Sequence, residues 1–292
     1  MKTLNPSDLG ARAFYKYLNS AVAPRPIAFA STVDAAGNVN LSPFSFFNVM
    51  GIDPLILVFA PNRRGRDNTH KHTALNLMEV PEVVINMVSY DMVQQMSLSS
   101  AEFEKEVNEF EKAGFTMQPS ELVKPPRVQE SPAQFECRVL EIKEIGTMVL
   151  VIAEVLRGHF SESILDENGQ IDQTKTDWVA RLGGDWYARA HGPALFEVPR
   201  PQYGIGVNAL PESVRNSKVL TGNDLGQLGS LTAFPTEEEI QIFGETEAML
   251  TLREEARLGC QYLPDVLHAH AQHLLERGQV REALLTLLLG EG

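Results

Sequence analysis

Four cations crowd one short stretch of an acidic chain. Arg63, Arg64, Arg66 and Lys71 fall within "NRRGRDNTHKHTALNLMEVP", while the 292 residues together carry a formal charge of −13. The second half of the stretch, Thr73 to Glu79, predicts a short helix stopped ahead of Pro81. Its basic, hydroxyl-bearing first half therefore stands at a helix N-terminus. Unpaired N–H groups and the positive end of the helix dipole favour an anion there, and a lysine with a hydroxyl suits a phosphomonoester. A solvated basic loop is the commoner fate of such residues. It explains less well why an acidic chain gathers its cations in about nine positions.

Two further stretches carry unusual residue types. In "NLSPFSFFNVM", Phe44, Phe46 and Phe47 surround Ser42 and Ser45, where a surface loop is normally polar; taken alone, such phenylalanines read as core. In "RLGGDWYARA", Gly183 and Gly184 permit close backbone approach, and Trp186 and Tyr187 offer flat aromatic planes. A tight turn with core aromatics is the competing reading. Of His268, His270 and His273, only the last two share a helical face, and no carboxylate or Cys stands at matching spacing. They read as a surface helix, so no metal site is assigned. Cys137 and Cys260 lie far apart and read as reduced packing residues. No Gly-rich dinucleotide loop is present.

The elements that must position these groups are mainly strands up to about Pro199. Ile27, Phe29, Ser31 and Val33 alternate with Ala28, Ala30 and Thr32, and Ala36-Gly37-Asn38 turns the chain back into a hairpin. Leu55 to Phe59 and Val83 to Val88 are apolar runs of strand length, and Phe135 to Ile145 and Met148 to Leu156 predict two more strands. Ser99 to Ala113 predicts a polar helix capping the barrel, with Phe103, Val107 and Phe110 on one face and Gly114 ending it. From Pro235 the pattern is helical: Thr236 and Glu239 form a capping-box pair, Pro264-Asp265 opens another helix and Gly278 separates a third. The expected division is thus a mainly β domain over 1–234 and a helical C-terminal extension over 235–292. The acidic surface argues against nucleic acid or an anionic membrane as partner. No signal-peptide core or spanning segment is legible, so a soluble, cytoplasmic protein with a small ligand is expected.

In order along the chain, "PRPIAFASTVDAAGNVNLSPFSFFNVM", "DPLILVFAPNRRGRDNTHKHT", "EFEKAGF", "SPAQFEC" and "RLGGDWYAR" resemble the flavin reductase-like family, the FMN-binding split barrel, over roughly residues 12 to 235. The resemblance implies a six-stranded antiparallel Greek-key barrel, a homodimer with flavin near the subunit interface, and NAD(P)H as electron donor. It implies that Ser31 and Thr32 meet the flavin at a strand end and that Ser45, Phe46, Phe47 and Asn48 serve its ring and ribityl chain. It further implies that Lys71 and Thr73, helped by Arg63 or Arg64, seat the phosphate. The family's usual Asp between Lys and Thr is His72 here. The "GGDWY" loop, with Trp186 and Tyr187, belongs by resemblance to the active site. Many members carry a nicotinamide-contacting His ahead of a Gly in the strand around Thr147 to Val155; here Ala153 holds the Gly position and His159 is a weak substitute.

The expected function is an FMN-binding oxidoreductase, with FAD as a possible alternative cofactor. It would pass hydride from NAD(P)H to flavin and electrons onward to an acceptor or a partner monooxygenase. The alternatives are an FMN-binding electron carrier without its own NAD(P)H reaction and a helical interaction module on a relic barrel.

Overall fold

The computed structural model describes residues 1–291, and the chain divides into two compact units, 1–196 and the residues from 197 onward. The first begins with α1 (Pro6–Leu9) and α2 (Ala11–Ala21), followed by β1 (Ala28–Val33), β2 (Val39–Phe44), β3 (Phe47–Ile52), β4 (Leu55–Phe59), α3 (His72–Glu79) and β5 (Glu82–Asn86). It continues through α4 (Val93–Leu98), α5 (Glu109–Ala113), β6 (Met117–Gln118), β7 (Arg127–Val128), β8 (Ala133–Ile145), β9 (Met148–Phe160), β10 (Trp178–Arg181) and β11 (Tyr187–Ala190). Seven strands make one antiparallel sheet in the order β2-β1-β5-β8-β9-β4-β3.

The alternation in β1 decides what each side of the sheet covers. Ile27 and Phe29 enter one core with Met92, Met96, Phe110 and Phe115. Ala28 and Ala30 enter the other with Phe44, Phe59, Leu77 and Ile85. Ser31 and Thr32 continue these two faces and are fully buried. The expected six-stranded split barrel differs from the observed ladder, which has seven strands and two free ends. Those ends, β2 and β3, follow one another through Ser45 and Phe46 instead of pairing side by side. Pro43 in β2 has no N–H to donate and suits an edge strand.

The helix expected over 99–113 is shorter. Only α5 forms, with Asn108 accepting from the Phe110 N–H at 3.0 Å and Gly114 closing it at φ +72°. Residues 99–108 are irregular. Glu102 and Glu106, one helical turn apart, repel in a helix, and Glu102 instead meets Arg66 at 2.6 Å.

The second unit holds α6 (Glu212–Arg215), α7 (Gly222–Gly229), α8 (Glu237–Gly244), α9 (Glu247–Leu258), α10 (Leu263–Glu276) and α11 (Val280–Leu288). The capping box of Thr236 and Glu239 is present at the start of α8. The division between units falls at 196/197, earlier than the 234/235 read from the sequence. The reason is packing: Leu210, Val214, Leu220 and Leu228 share one core with Ala271, Leu275, Leu284 and Leu287. The segment ahead of Pro235 is therefore part of the helical unit.

Candidate flavin site

The basic stretch folds as its residue types suggest. Lys71 is the N-cap of α3 at φ −75° and ψ 157°, so His72, Thr73 and Ala74 present first-turn N–H groups that have no helical partner. Thr73 is buried and its hydroxyl accepts from the Asn40 amide at 2.9 Å, which ties the helix start to β2. Arg64 donates to the Thr69 hydroxyl at 3.3 Å and to the His70 carbonyl. Arg63 turns to Glu144 at 2.6 Å, a carboxylate that His70 also reaches. Of the two arginines that could serve an anion, the fold thus brings Arg64 to the helix start.

These groups line a small cavity of about 90 Å³, bounded by Asn40, Ser42, Arg64, Lys71, His72 and Thr73 and closed opposite by Ser100 to Phe103 and Glu109. Burial, then the Arg64 charge, lower the Lys71 pKa. Its ammonium lies 5.1 Å from the Phe44 ring centroid, and among the described residues it pairs with no carboxylate. Burial likewise lowers the His72 pKa and raises that of Glu109, whose carboxylate accepts from the Leu41 N–H at 3.0 Å. A half-buried lysine with no partner anion, a helix start and a hydroxyl are what a phosphomonoester needs.

A second cavity, of about 170 Å³, is lined by Ile27, Pro43, Phe44, Ser45, Met96, Ser100, Arg181 and Tyr187. Phe44 belongs to the lining of this space and to the cation contact of Lys71, and Ser100 lines both cavities. The two cavities share Ser100, and their linings combine cations and hydroxyls with the rings of Phe44 and Tyr187, groups that could hold the phosphate and ring of a flavin. Ser45 receives the Arg25 Nε–H at 3.4 Å. The same buried guanidinium donates to the Val22 carbonyl at 2.8 Å, the Leu182 carbonyl at 2.8 Å and the Asn19 carbonyl. It also lies 5.9 Å from the Phe46 ring centroid.

The "GGDWY" loop is the turn between β10 and β11. Leu182 and Trp186 close it by an N–H to carbonyl bond of 2.9 Å, and Gly184 takes φ +58°, in the left-handed region. A Cβ on Gly183 would stand 2.1 Å from the Ser20 hydroxyl, so the turn packs on α2 only as glycine. Tyr187 faces the larger cavity with the Arg181 guanidinium 4.6 Å from its ring centroid, whereas Trp186 is 75% exposed.

The other residues singled out from the sequence lie apart from these linings. Thr32 accepts from the Asn76 amide at 3.2 Å, and Ser31 Oγ is buried with no hydrogen-bond partner. Phe46 is 37% exposed, Phe47 packs against the core around Phe59, and Asn48 is exposed with its oxygen on the Val49 N–H. His159 sits in β9 with Nε2 2.8 Å from Glu136 and lines a different cavity with Arg127 and Gln134. Sequence reasoning missed Arg25, Asn40, Ser100, Glu109 and Arg181. Arg25 stood in the quoted "PRPIAFA" with a buried strand beside it, a usable signal; the others depend on long-range packing.

This combination of site and sheet defines a class. A family model described as flavin reductase like domain matches residues 20–175, more than half of the chain, and the chain belongs to that family. An uncharacterized protein of Aquifex aeolicus is 39% identical over 184 residues, which cover 63% of this chain and 93% of that one. Two crystal structures share the fold. One is 2-nitrobenzoate 2-nitroreductase NbaA of Pseudomonas fluorescens, 30% identical with a TM-score of 0.61 over 68% of this chain and 96% of its own. The other is nitrilotriacetate monooxygenase component B of Bacillus cereus, 26% identical with a TM-score of 0.62 over 68% and 98%.

Proposed function

We propose that this chain is an FMN-dependent oxidoreductase of the flavin reductase type, drawing hydride from NAD(P)H and passing electrons to an acceptor such as a partner monooxygenase. The observation that carries this reading is the junction at Ser100 of the Arg64/Lys71/Thr73 seat with the space beside Phe44, Ser45 and Tyr187. A bound flavin would supply the chemistry, taking hydride at N5 and releasing electrons one or two at a time. Arg64, Lys71 and the first N–H groups of α3 would hold its phosphate, while Phe44 and Ser45 border its ring. Ser31, Thr32, Phe46, Phe47 and Asn48 remain proposed contacts for the ring and ribityl chain. Tyr187, set by Arg181, and the exposed Trp186 would orient the nicotinamide and keep water from the transfer. A homodimer fits the β3–β4 edge, where Val49, Met50, Ile52 and Leu55 are exposed.

A second reading has its own support. His159 is engaged by Glu136 in a separate cavity, and among the described residues no histidine lines the space beside Tyr187. That favours an FMN-binding electron carrier without its own NAD(P)H reaction. NADH and NADPH oxidation measured with FMN, FAD, ferric citrate and no acceptor decides between them. Flavin absorbance without nicotinamide oxidation supports the carrier, and absence of both removes the flavin reading.

A further inference from the structure

The seat at the start of α3 is bounded on its far side by the chain itself. Ser100, Ala101, Glu102 and Phe103 form that wall and line the cavity together with Arg64, Lys71 and Thr73. The wall is pinned at both ends. Before it, the Ser99 hydroxyl donates to the Met96 carbonyl at 2.7 Å, and Met96 is core. After it, the buried Glu109 carboxylate holds the Leu41 N–H. At its middle, Glu102 lies 2.6 Å from Arg66 Nη1 and 4.0 Å from Arg64 Nε, so the wall is fastened to the basic loop that forms the other side. Within it, the Phe103 N–H donates to the Ala101 carbonyl at 3.0 Å.

We propose that the wall Ser100–Phe103, latched by Glu102 to Arg64 and Arg66, ends the ligand site at the phosphate and makes the chain select a flavin with a terminal phosphomonoester over a flavin dinucleotide. This rests on the flavin reading above. A space of about 90 Å³ admits a phosphate, and the adenylate half of a dinucleotide held there would need further room that the Ser100–Phe103 lining restricts. The electrostatics point the same way. The first N–H groups of α3 and two cations meet a compact monoester better than a diphosphate whose second phosphate is turned toward Glu102 and Glu109. The selection is then a built steric and charge refusal of the larger ligand, not a stronger hold on the smaller one.

The test titrates the full chain, freed of flavin, with riboflavin, FMN and FAD, following flavin fluorescence. The expected order is FMN tighter than FAD by roughly tenfold or more, with riboflavin weaker than FMN. Glu102→Ala, and Glu102→Ala combined with Phe103→Ala, open the wall. An exposed ion pair is individually weak, so the double variant is the decisive one, and its FMN-to-FAD affinity ratio should fall about threefold or more through a gain for FAD. Thermal melts establish that each variant is folded. Equal FMN and FAD affinity in the unaltered chain overturns the latch and leaves the flavin reading standing, as does a ratio unmoved in the folded double variant. If none of the three ligands binds, the flavin reading itself falls and the latch falls with it.

Discussion

The guanidinium of Arg25 donates to the carbonyl of Leu182 at 2.8 Å, joining the entrance of β1 to the β10–β11 turn. Through the same side chain the turn is tied to Ser45 and to the end of α2. One buried group thus sets the spacing between the loop proposed to meet the flavin and the loop proposed to meet the nicotinamide. Burial lowers its pKa, but it holds its charge against carbonyls, which a fork of five donors satisfies.

Arg25→Gln should destabilise the fold by about 1–3 kcal/mol for each carbonyl left without a donor. Arg25→Lys should recover only part of this, since an ammonium cannot span the same acceptors. Urea unfolding of the three proteins measures it, and equal midpoints would show that the carbonyls find other donors.

Lys71→Ala should weaken FMN by about 1.5–3 kcal/mol, roughly tenfold to a hundredfold, and leave riboflavin nearly unaffected. The pH dependence has a definite sign. The folded Lys71 pKa is lowered by burial, so the unfolded chain binds more protons between that value and the ordinary lysine pKa. In that window the stability of the flavin-free protein rises with pH, while phosphate affinity falls as the ammonium is lost. Calorimetric titrations across alkaline pH check the second trend, and a Lys71→Ala variant with the same pH profile would remove Lys71 from it.

Tyr187→Leu should slow flavin reduction by NAD(P)H in stopped flow, because stacking by one aromatic plane is worth about 0.5–1.5 kcal/mol. Trp186→Leu, at an exposed rim, should raise the nicotinamide KM with little change in bound flavin. A folded but colourless Tyr187 variant would move that residue into the flavin site, and unaltered reduction rates in both would leave the turn a structural role.

Ser31→Ala should leave stability unchanged or raise it, since the buried hydroxyl has no partner and its burial is unfavourable by about 1–3 kcal/mol. A lower melting temperature is the contrary result. FMN affinity measured on the same variant reports whether the hydroxyl serves the ligand.

Glu136 is fully buried. Burial alone raises its pKa, but the N–H groups of Glu121 and Leu122 with His159 hold it below the usual carboxylate value. Its stabilisation is therefore complete above the ordinary glutamate pKa and lost as the pH falls through the lowered one. Glu136→Gln should flatten the acid limb of a stability profile. A profile unchanged in that variant would assign acid unfolding to other carboxylates.

The local pieces follow from short stretches of residues. The alternation of Ile27 to Val33, the turn at Gly37, the stop before Pro81 and the Thr236–Glu239 capping box are short-range patterns, and each is present. The ordered motifs also sufficed for the family, and Arg64, Lys71 and Thr73 do line one cavity, as their crowding in the sequence suggested. Tertiary structure decided the rest because those contacts join residues far apart in the chain. It sent Arg63 to Glu144 and Arg64 to the helix start, drew His159 onto Glu136, and brought Asn40 to Thr73. It broke the helix expected over 99–113, where Glu102 meets Arg66. It also placed the unit boundary at 196/197, because the burial of Leu210 and Val214 against α10 and α11 is a matter of packing that no local pattern encodes.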